Sequence, residues 1–571
     1  MTIISICSNI EFVVYYGKET HFVNYSVSYF ENILNKNLKI NSNNESNEMC
    51  YFRCANKEKL NDLYDRKDHE IIFGRRGTGK TTLFRSFTHY VNEIKNFDSN
   101  NPTCYAIYVN MEDVVPDTNE INSSDNNSYI IETYRKLLIK LYEDFYELWE
   151  VLGKTNNYYN NYYNDKELGD ITDNLANFDD IIRNGCDNPI KQTAKKLSST
   201  VFENSKDIFS KAEVKFASNE RIPFGSGILF GRNRKKATAT KESITTSLEY
   251  SYTLDISRIR DVIEQIVDSF KFDCLYICID EFTFVDKGLD ETIQPNIAQM
   301  IKDTFFRNKH ISVKITSLWS RNEMQSRSVN NIKRIGIEVG EDISRGIDLD
   351  TIFSNNDYAI SFFKQLIVNV IRLDSNEKNH FNDDYETSSL KFTNYVLNQL
   401  FSKEAFSLLV CASQGIPRVF CDILVSSIKS RKHSNYDKIS PQIVFETSIN
   451  HFKQETRKKI ENSDPLVIQI DDYVTENKQR ILMIPIKNYV ENKSKINNLV
   501  DKNYIHQFPS ETISRPIRNK YKIFLVHYGN YLESLGIKEY RQIANNDLSI
   551  FPQIPIHMLK SPEKYCLTIS S

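Results

Sequence analysis

A glycine-rich segment at residues 74–81, with the sequence GRRGTGKT, has the composition and spacing of a loop that binds phosphate. Its glycines let the backbone turn tightly and direct N–H groups at phosphate oxygens. Lys80 would place a positive charge beside the β- and γ-phosphates of a nucleotide, and the Thr81 hydroxyl would suit Mg²⁺. The alternative is a glycine-rich turn without a ligand. We predict that this loop binds ATP and Mg²⁺ through Gly74, Arg75, Arg76, Gly77, Thr78, Gly79, Lys80, Thr81 and Thr82.

An acidic pair, Asp280-Glu281, directly follows the apolar run from Phe272 to Ile279. A phosphate-binding loop of this kind needs carboxylates at the end of another buried strand, where they reach the metal ion and the attacking water. We assign Asp280 to the metal and Glu281 to the water molecule that attacks the γ-phosphate. The alternative is an acidic pair at a strand end that has no part in chemistry.

Two hydroxyl residues, Thr316 and Ser317, end the predicted strand that begins at Ile311. A polar side chain at this strand end would lie between the acidic pair and the γ-phosphate. We therefore predict that both residues contribute to the nucleotide site. The alternative is a pair of hydroxyl groups that only cap a turn.

The elements that must position these residues follow from apolar runs that alternate with helical patterns. Residues 70–73 are predicted to form the strand before the loop, and residues 81–91 the helix after it. Further strands are predicted at 104–109, 272–279 and 311–319, and helices at 129–152 and 256–270. This alternation indicates an α/β fold with a parallel sheet, into which residues 153–254 are inserted.

The order of these motifs resembles that of the AAA+ ATPases, particularly the origin-recognition and replication-initiator branch. The series consists of GRRGTGKT at 74–81, LYICIDE at 275–281, the polar strand end at 316–317, and Gln414-Gly415-Ile416-Pro417-Arg418. The resemblance implies that the last segment opens a helix of a lid domain and that Arg418 reaches the γ-phosphate. Proline suits a first helical turn because its missing N–H is not needed there. The resemblance covers about residues 50–435, and the insertion departs from the family pattern.

The resemblance also implies an arginine finger that completes the site of a neighbouring subunit. The candidate arginines around the strand at 311–317 are Arg307, Arg321, Arg327 and Arg334. We favour Arg334, which directly precedes the strand-like segment IGIEV. Such a finger would make ATP hydrolysis depend on assembly into a homo-oligomer.

The C-terminal region has a pattern that, with the same resemblance, predicts a winged-helix domain. A helix is predicted over 493–504, followed by strands at 504–508 and 521–529, and the intervening loop is basic through Arg515, Arg518, Lys520 and Lys522. This order is typical of a winged helix-turn-helix that binds duplex DNA. Residues 440–571 hold 18 Lys and Arg against 14 Asp and Glu, so the region is only mildly basic. The alternative is a module that packs within the protein or binds another protein.

Length and composition bound the remaining possibilities. We divide the 571 residues into an N-terminal extension (1–50), an ATPase core (51–350), a helical lid (351–435) and a winged-helix-like domain (436–571). The net charge of −3 provides no global attraction to nucleic acid. No apolar run is long enough to cross a membrane, and the scattered cysteines suit a reducing compartment. We therefore expect a cytoplasmic protein without a membrane partner.

These observations predict an α/β P-loop ATPase with an AAA+ core, a helical lid and a C-terminal winged-helix-like α+β domain. We expect a homo-oligomer that couples ATP binding and hydrolysis to duplex DNA or to a partner protein. The composition, rich in Asn, Lys and Ile, resembles that of bacteria with low-GC genomes and by analogy favours antiphage defence or a mobile element. One alternative is a STAND-type signalling NTPase, although no repeat sensor follows Arg418. Another is ATP binding without turnover, against which Glu281 argues.

Overall fold

The architecture is that of a computed structural model. The described residues are 11–16, 19–23, 27–38, 45–95, 103–116, 126–154, 163–184, 253–285, 290–318, 321–327, 334–374, 385–434, 437–508, 515–543 and 549–569, with short strands at 196–197, 228–229 and 245–246. Most of the second half of the predicted insertion therefore lies outside the described residues.

The N-terminal residues form a hairpin and three helices. The hairpin consists of β1 (Glu11–Tyr16) and β2 (Glu19–Val23), and the helices are α1 (Val27–Asn37), α2 (Asn47–Arg53) and α3 (Lys57–Asp65). The Ser46 hydroxyl caps α2 by accepting a hydrogen bond from the Met49 N–H. A short connection separates α2 from α3.

A five-stranded parallel sheet lies at the centre of the next part of the chain. The strands of this part are β3 (Glu70–Phe73), β4 (Cys104–Asn110), β5 (Cys274–Asp280), β6 (Ile311–Ser317), β7 (Gln325–Arg327), β8 (Arg334–Gly336) and β9 (Ser344–Asp348). Strands β7 and β8 pair only with each other, and the other five form the sheet in the order β9-β3-β6-β5-β4. The prediction of an α/β fold with a parallel sheet is confirmed.

Helices cover both faces of this sheet. They are α4 (Lys80–His89), α5 (Met111–Val114), α6 (Asn126–Lys154), α7 (Asp165–Asn184), α8 (Ile256–Ser269) and α9 (Ile293–Phe305). Every residue of β5 and of β6 is buried, as expected for strands that are packed on both faces. Successive side chains of β5 enter different cores, with Ile277 and Ile279 on one face and Tyr276 and Cys278 on the other.

Parallel pairing brings the carboxyl ends of the sheet strands to one edge. Ser317 of β6 pairs with Phe73 of β3, and Asp280 of β5 pairs with Asn110 of β4. The chain leaves β3 into the glycine-rich loop at this same edge. Residues that are more than 200 positions apart in sequence are thus placed around a single site.

Four helices follow the sheet. They are α10 (Asn356–Asp374), α11 (Tyr385–Leu400), α12 (Ala405–Ser413) and α13 (Pro417–Ser434). Phe363 of α10 stacks on Phe420 of α13 with ring centroids 4.4 Å apart. Phe30 of α1 belongs to the same apolar core, so the N-terminal helix packs against this helical unit.

The C-terminal region combines helices with a small antiparallel sheet. Its elements are α14 (Pro441–His451), α15 (Pro465–Asn477), β10 (Ile481–Pro485), α16 (Ile486–Glu491), α17 (Lys493–Asp501), β11 (Ile505–Gln507), α18 (Arg515–Arg518), β12 (Tyr521–Val526), α19 (Tyr528–Ile543) and α20 (Ile556–Lys560). The three strands lie in the order β10-β12-β11. The predicted strand at 521–529 ends at Val526, because Tyr528 begins a helix. None of the described helices has both the length and the apolar character needed to span a bilayer.

One apolar core runs without interruption from the four-helix unit into the C-terminal region. It contains Leu409 of α12 and Val444 of α14, and it continues through Leu482 of β10 and Phe524 of β12. His506 and His527 are also buried in this region, and burial holds the pKa of both imidazoles well below its ordinary range. The positive charge of Arg75, in the glycine-rich loop, lowers both pKa values further. The C-terminal sheet therefore lies close to that loop.

Candidate nucleotide-binding site

The glycine-rich loop connects the end of β3 to the start of α4. Gly77 has a φ of 84° and Gly79 a φ of 93°, conformations that favour residues without a Cβ atom. Because α4 begins at Lys80, the positive end of its dipole adjoins the loop. The local structure is therefore the strand–loop–helix arrangement that binds phosphate through backbone N–H groups.

Lys80 is almost completely buried, with 4% of its surface exposed. Its Nζ donates hydrogen bonds to the carbonyl oxygens of Gly74 at 2.9 Å and Arg75 at 3.1 Å. Burial lowers the pKa of the ammonium group, and the carboxylates of Glu281 and Asp280 oppose this change. A phosphate in the loop would give Lys80 a charged acceptor in place of two neutral carbonyl groups, which makes a stronger hydrogen bond.

The acidic pair is held by a compact hydrogen-bond network at the end of β5. Oδ1 of the fully buried Asp280 accepts hydrogen bonds from the Thr316 hydroxyl at 2.5 Å and from the Glu281 N–H at 3.0 Å. The Glu281 N–H also donates to Thr316 Oγ1 at 3.0 Å. Thr316 thus lies against the acidic pair, at the predicted strand end.

Glu281 has a left-handed backbone, with φ 51° and ψ 40°. Residues with a side chain seldom adopt this conformation, and it persists when surrounding bonds impose it. Here the bonds to Asp280 and Thr316 do so. Burial raises the pKa of the Glu281 carboxyl, while the nearby Lys80 charge lowers it. The geometry therefore supplies a carboxylate with increased basicity near Lys80.

Tyr108 on β4 is a further member of this network. Its hydroxyl donates a hydrogen bond to Asp280 Oδ2 at 3.0 Å, and the Arg85 guanidinium lies 4.9 Å from the centre of its ring. No sequence pattern distinguishes Tyr108 from an ordinary residue of a buried strand.

The oxygen donors near the loop fit Mg²⁺, which prefers oxygen ligands and retains several water molecules. Asp280 Oδ1 already accepts two hydrogen bonds, and Oδ2 accepts one from Tyr108, so one acceptor position on Oδ2 is available. The carboxylate can therefore hold the ion through a water molecule. The Thr81 hydroxyl, at the start of α4, is the predicted direct ligand.

The other residues predicted for the loop site have different surroundings. Thr78, Thr81 and Thr82 line the cavity described below. Arg76 is exposed, with its guanidinium 5.9 Å from the centre of the Phe284 ring. Ser317 is buried and donates a hydrogen bond to the carbonyl oxygen of Leu318 at 3.4 Å, within its own loop.

Arg418 lies at the start of α13, directly against the loop. Its backbone N–H donates to the carbonyl oxygen of Gly77 at 3.4 Å. A Cβ atom placed on Gly77 would lie 3.0 Å from Ile416 Cγ2 and 3.1 Å from Arg418 Cβ. The lid and the loop are therefore in close contact, and Arg418 lines the same cavity as Lys80 and Glu281.

A cavity of about 470 Å³ opens over the loop. The loop and the start of α4 form one side. The opposite wall is largely apolar and comes from the N-terminal helices and the lid, through Leu38, Ala55, Phe362, Leu366, Val370 and Cys421. Sequence reasoning missed this wall, because its residues have the spacing of ordinary helix-core positions.

The predicted arginine finger is located elsewhere. Arg334 is exposed on β8 and forms an ion pair with Glu338. It is not among the described residues that line the cavity. Another candidate, Arg321, pairs with Asp501 at the end of α17, with Nε 2.7 Å from Oδ2.

Comparison with known proteins yields no matching family model and no matching curated protein. Among solved structures, the chain is similar to the Aeropyrum pernix ORC2 protein in ADPNP–ADP complexes, with a TM-score of 0.28 and 10% identity over 86% of this chain and 92% of that one. It is also similar to Drosophila ORC bound to DNA, with a TM-score of 0.28 and 8% identity over 89% and 92% of the two chains. A third is the A. pernix ORC1 protein in complex with DNA, with a TM-score of 0.26 and 9% identity over 86% and 93%. These TM-scores are too low to indicate a function. The proposed function is therefore based on the geometry of the site.

Proposed function

We propose that this protein binds and hydrolyses ATP at the cavity above the glycine-rich loop, as an AAA+-type P-loop ATPase. The observation that carries the proposal is the convergence of four separate segments on one cavity. Lys80 comes from the loop, Glu281 from the end of β5 and Arg418 from the lid, and Thr316 from β6 holds the acidic pair. A glycine-rich turn that binds no ligand would not require these segments to meet at one cavity.

The chemistry assigned to each group follows from its position. The loop N–H groups and Lys80 hold the phosphates, and Arg418 approaches them from the lid. Glu281 orients the attacking water and accepts its proton, for which the increased basicity of the buried carboxyl is suited. Mg²⁺, held by Thr81 and by Asp280 through water, would neutralise charge on the phosphate oxygens. Tyr108 fixes the orientation of Asp280.

The apolar wall of the cavity suits a nucleotide base. Ligand pockets of about 300–1,000 Å³ combine apolar surface with placed polar groups. This cavity has such a volume, and Glu45, Arg53 and Asn56 add polar groups beside its apolar wall. Phe362, Leu366 and Val370 of α10 supply the apolar surface opposite the loop. Asn56, also on the wall, is oriented by a hydrogen bond from the Tyr358 hydroxyl at 2.6 Å. A base would lie between the N-terminal helices and the lid, with the triphosphate extending to Lys80.

The four-part division at residues 50, 350 and 435 belongs to this proposal, with the C-terminal part as a winged-helix domain that binds duplex DNA. Its support is the element order helix–strand–helix–helix–strand–helix–strand from α15 to β12, with strand order β10-β12-β11. In such a domain α17 is the helix that enters the major groove. Lys493 and Lys495 on α17 are exposed, as are Arg518 and Lys520 beside β12.

Assembly into a homo-oligomer, with Arg334 as the finger, completes the proposal. Its support is the exposure of Arg334 on a hairpin outside its own cavity, where a neighbouring subunit can be reached. Asp-Glu pairs of P-loop sites commonly require such an arginine, which contributes about 10³–10⁵ in rate.

The proposed function is tested by measuring ATP hydrolysis against protein concentration, with and without duplex DNA. We expect the rate per subunit to rise steeply with concentration, because the finger is supplied only on assembly. Duplex DNA is expected to increase it at a fixed concentration. Arg334→Ala should flatten the concentration dependence, whereas Arg345→Ala, an exposed arginine on β9, should not. Absence of both ATP binding and hydrolysis at all concentrations would contradict the proposal.

Binding to DNA should depend on the basic residues beside the C-terminal sheet. The double substitution Arg518→Ala and Lys520→Ala is expected to weaken binding to any duplex sequence, because these residues would contact phosphates. Each lost contact should reduce the slope of log K against log salt concentration by about 1. The control is Lys458→Ala with Lys459→Ala, which removes the same charge from an exposed turn outside the sheet. Equal effects of the two pairs would show that only net charge matters.

A further inference from the structure

Arg75, the second residue of the glycine-rich loop, is bonded to two distant segments. Its backbone N–H donates to Asp350 Oδ2 at 3.0 Å, and its Nε donates to Asp350 Oδ1 at 2.7 Å. Its Nη2 donates to the carbonyl oxygen of Gln414 at 2.7 Å. The side chains of Arg75 and Asp350 are 10% and 14% exposed, so these charge-assisted bonds are largely shielded from water.

One partner of Arg75, Asp350, lies at the connection between the sheet and the lid, and the other, Gln414, lies in the turn between two helices of the lid. Asp350 follows β9 and precedes the single turn Thr351–Ser354, which leads into α10. Gln414 ends α12 and begins the turn that presents Arg418. One guanidinium group therefore joins the phosphate-binding loop to the entry of the lid and to its phosphate-facing turn.

The turn that contains Gln414 has little freedom of its own. Gln414 has a φ of 54° and Gly415 a φ of 75°, and a Cβ atom on Gly415 would lie 2.7 Å from the Phe353 ring. Phe353 belongs to the turn that follows Asp350. The turn is thus packed against the segment that follows Asp350, the residue that Arg75 binds. Arg418 follows Gly415 by three residues.

We propose that Arg75 is a positioning residue that sets the place of Arg418 above the phosphates. This role of Arg75 rests on the proposed function. The neighbouring Arg76 does not share it. Arg76 is exposed and contacts the Phe284 ring, and it has no hydrogen bond to the described residues of the lid. Arg75 therefore acts on the nucleotide through Arg418, and its loss should affect the recognition of the third phosphate above all.

The test measures dissociation constants for ADPNP and for ADP, by displacement of a fluorescent nucleotide. Arg418→Ala should lower the preference for ADPNP over ADP, and Arg75→Ala should lower it by a similar factor, about 10- to 100-fold. The double variant should be no worse than either single one, because both remove the same contact. The matched control is Arg76→Ala, whose effect should multiply with that of Arg418→Ala.

A second variant distinguishes a specific effect on nucleotide preference from a general loss of structure. Asp350→Asn keeps the shape of the side chain but removes its charge, and it should show the same non-additivity with Arg418→Ala. Thermal unfolding of each variant identifies any that fail to fold. A protein that binds neither nucleotide contradicts the proposed function itself. A protein whose preference for ADPNP falls with Arg418→Ala but persists with Arg75→Ala and Asp350→Asn overturns the present inference alone.

Discussion

Replacing Lys80 with alanine is expected to lower the affinity for ATP by about 100-fold or more. Lys80 is the buried positive charge of the loop, with Nζ within 3.1 Å of two loop carbonyls and in the field of Asp280 and Glu281. Its removal takes the positive charge of the loop away from the phosphates and from the nearby carboxylates, and loss of one partner of a buried charge pair costs about 3–5 kcal/mol. Isothermal titration calorimetry with ATP measures the loss directly.

The control for this substitution is Lys59→Ala, which removes a lysine from α3. Lys59 pairs with Asp62 on the same helix and lies outside the cavity, so ATP affinity should be unchanged. Circular dichroism of the Lys80→Ala protein must show that the sheet and helices are retained. ATP affinity equal to that of the unaltered protein would place the nucleotide somewhere other than this loop.

Replacing Glu281 with glutamine is expected to preserve ATP binding and to lower the rate of hydrolysis by about 10²–10⁴-fold. Glutamine has the same size and can keep the left-handed backbone, but it cannot accept the proton of the attacking water. Because burial raises the pKa of this carboxyl, the unaltered enzyme should lose activity as the pH falls through that raised pKa. Single-turnover hydrolysis at several pH values, together with ATP binding, separates the two properties.

The matched control is Glu112→Gln, which removes a nearby exposed carboxylate. The charge of Glu112 has only a small effect on the pKa of Glu281, and Glu112 does not line the cavity. It should leave both binding and turnover nearly unchanged. Hydrolysis that continues at the normal rate in Glu281→Gln would exclude that residue as the group that activates water.

The local part of the site could be predicted from the sequence. The loop at 74–81 is a contiguous segment, and the order of its glycines, lysine and threonine is enough to predict phosphate binding. Asp280 and Glu281 could be found because they directly follow the apolar residues 274–279, which are typical of a buried strand. Parallel strands then place such ends at one edge of the sheet, which is how Thr316 was also located.

The contacts that close the site could not be predicted, because they join segments far apart in the chain. Tyr108 and Asp280 are separated by 172 positions, and Arg75 and Asp350 by 275. Nothing local distinguishes Tyr108 from other strand residues, or Phe362 from other helix-core residues. Their roles arise only when the sheet order and the packing of α10 are known.

The uninterrupted core of the lid and the C-terminal region has a mechanical consequence. Leu409 of α12 and Val444 of α14 belong to the same buried core as Leu482 and Phe524 of the small sheet. Close-packed interiors transmit displacement because they are hardly compressible. We therefore expect the lid and the C-terminal sheet to move as one unit, so that a displacement of Arg418 would also displace the small sheet.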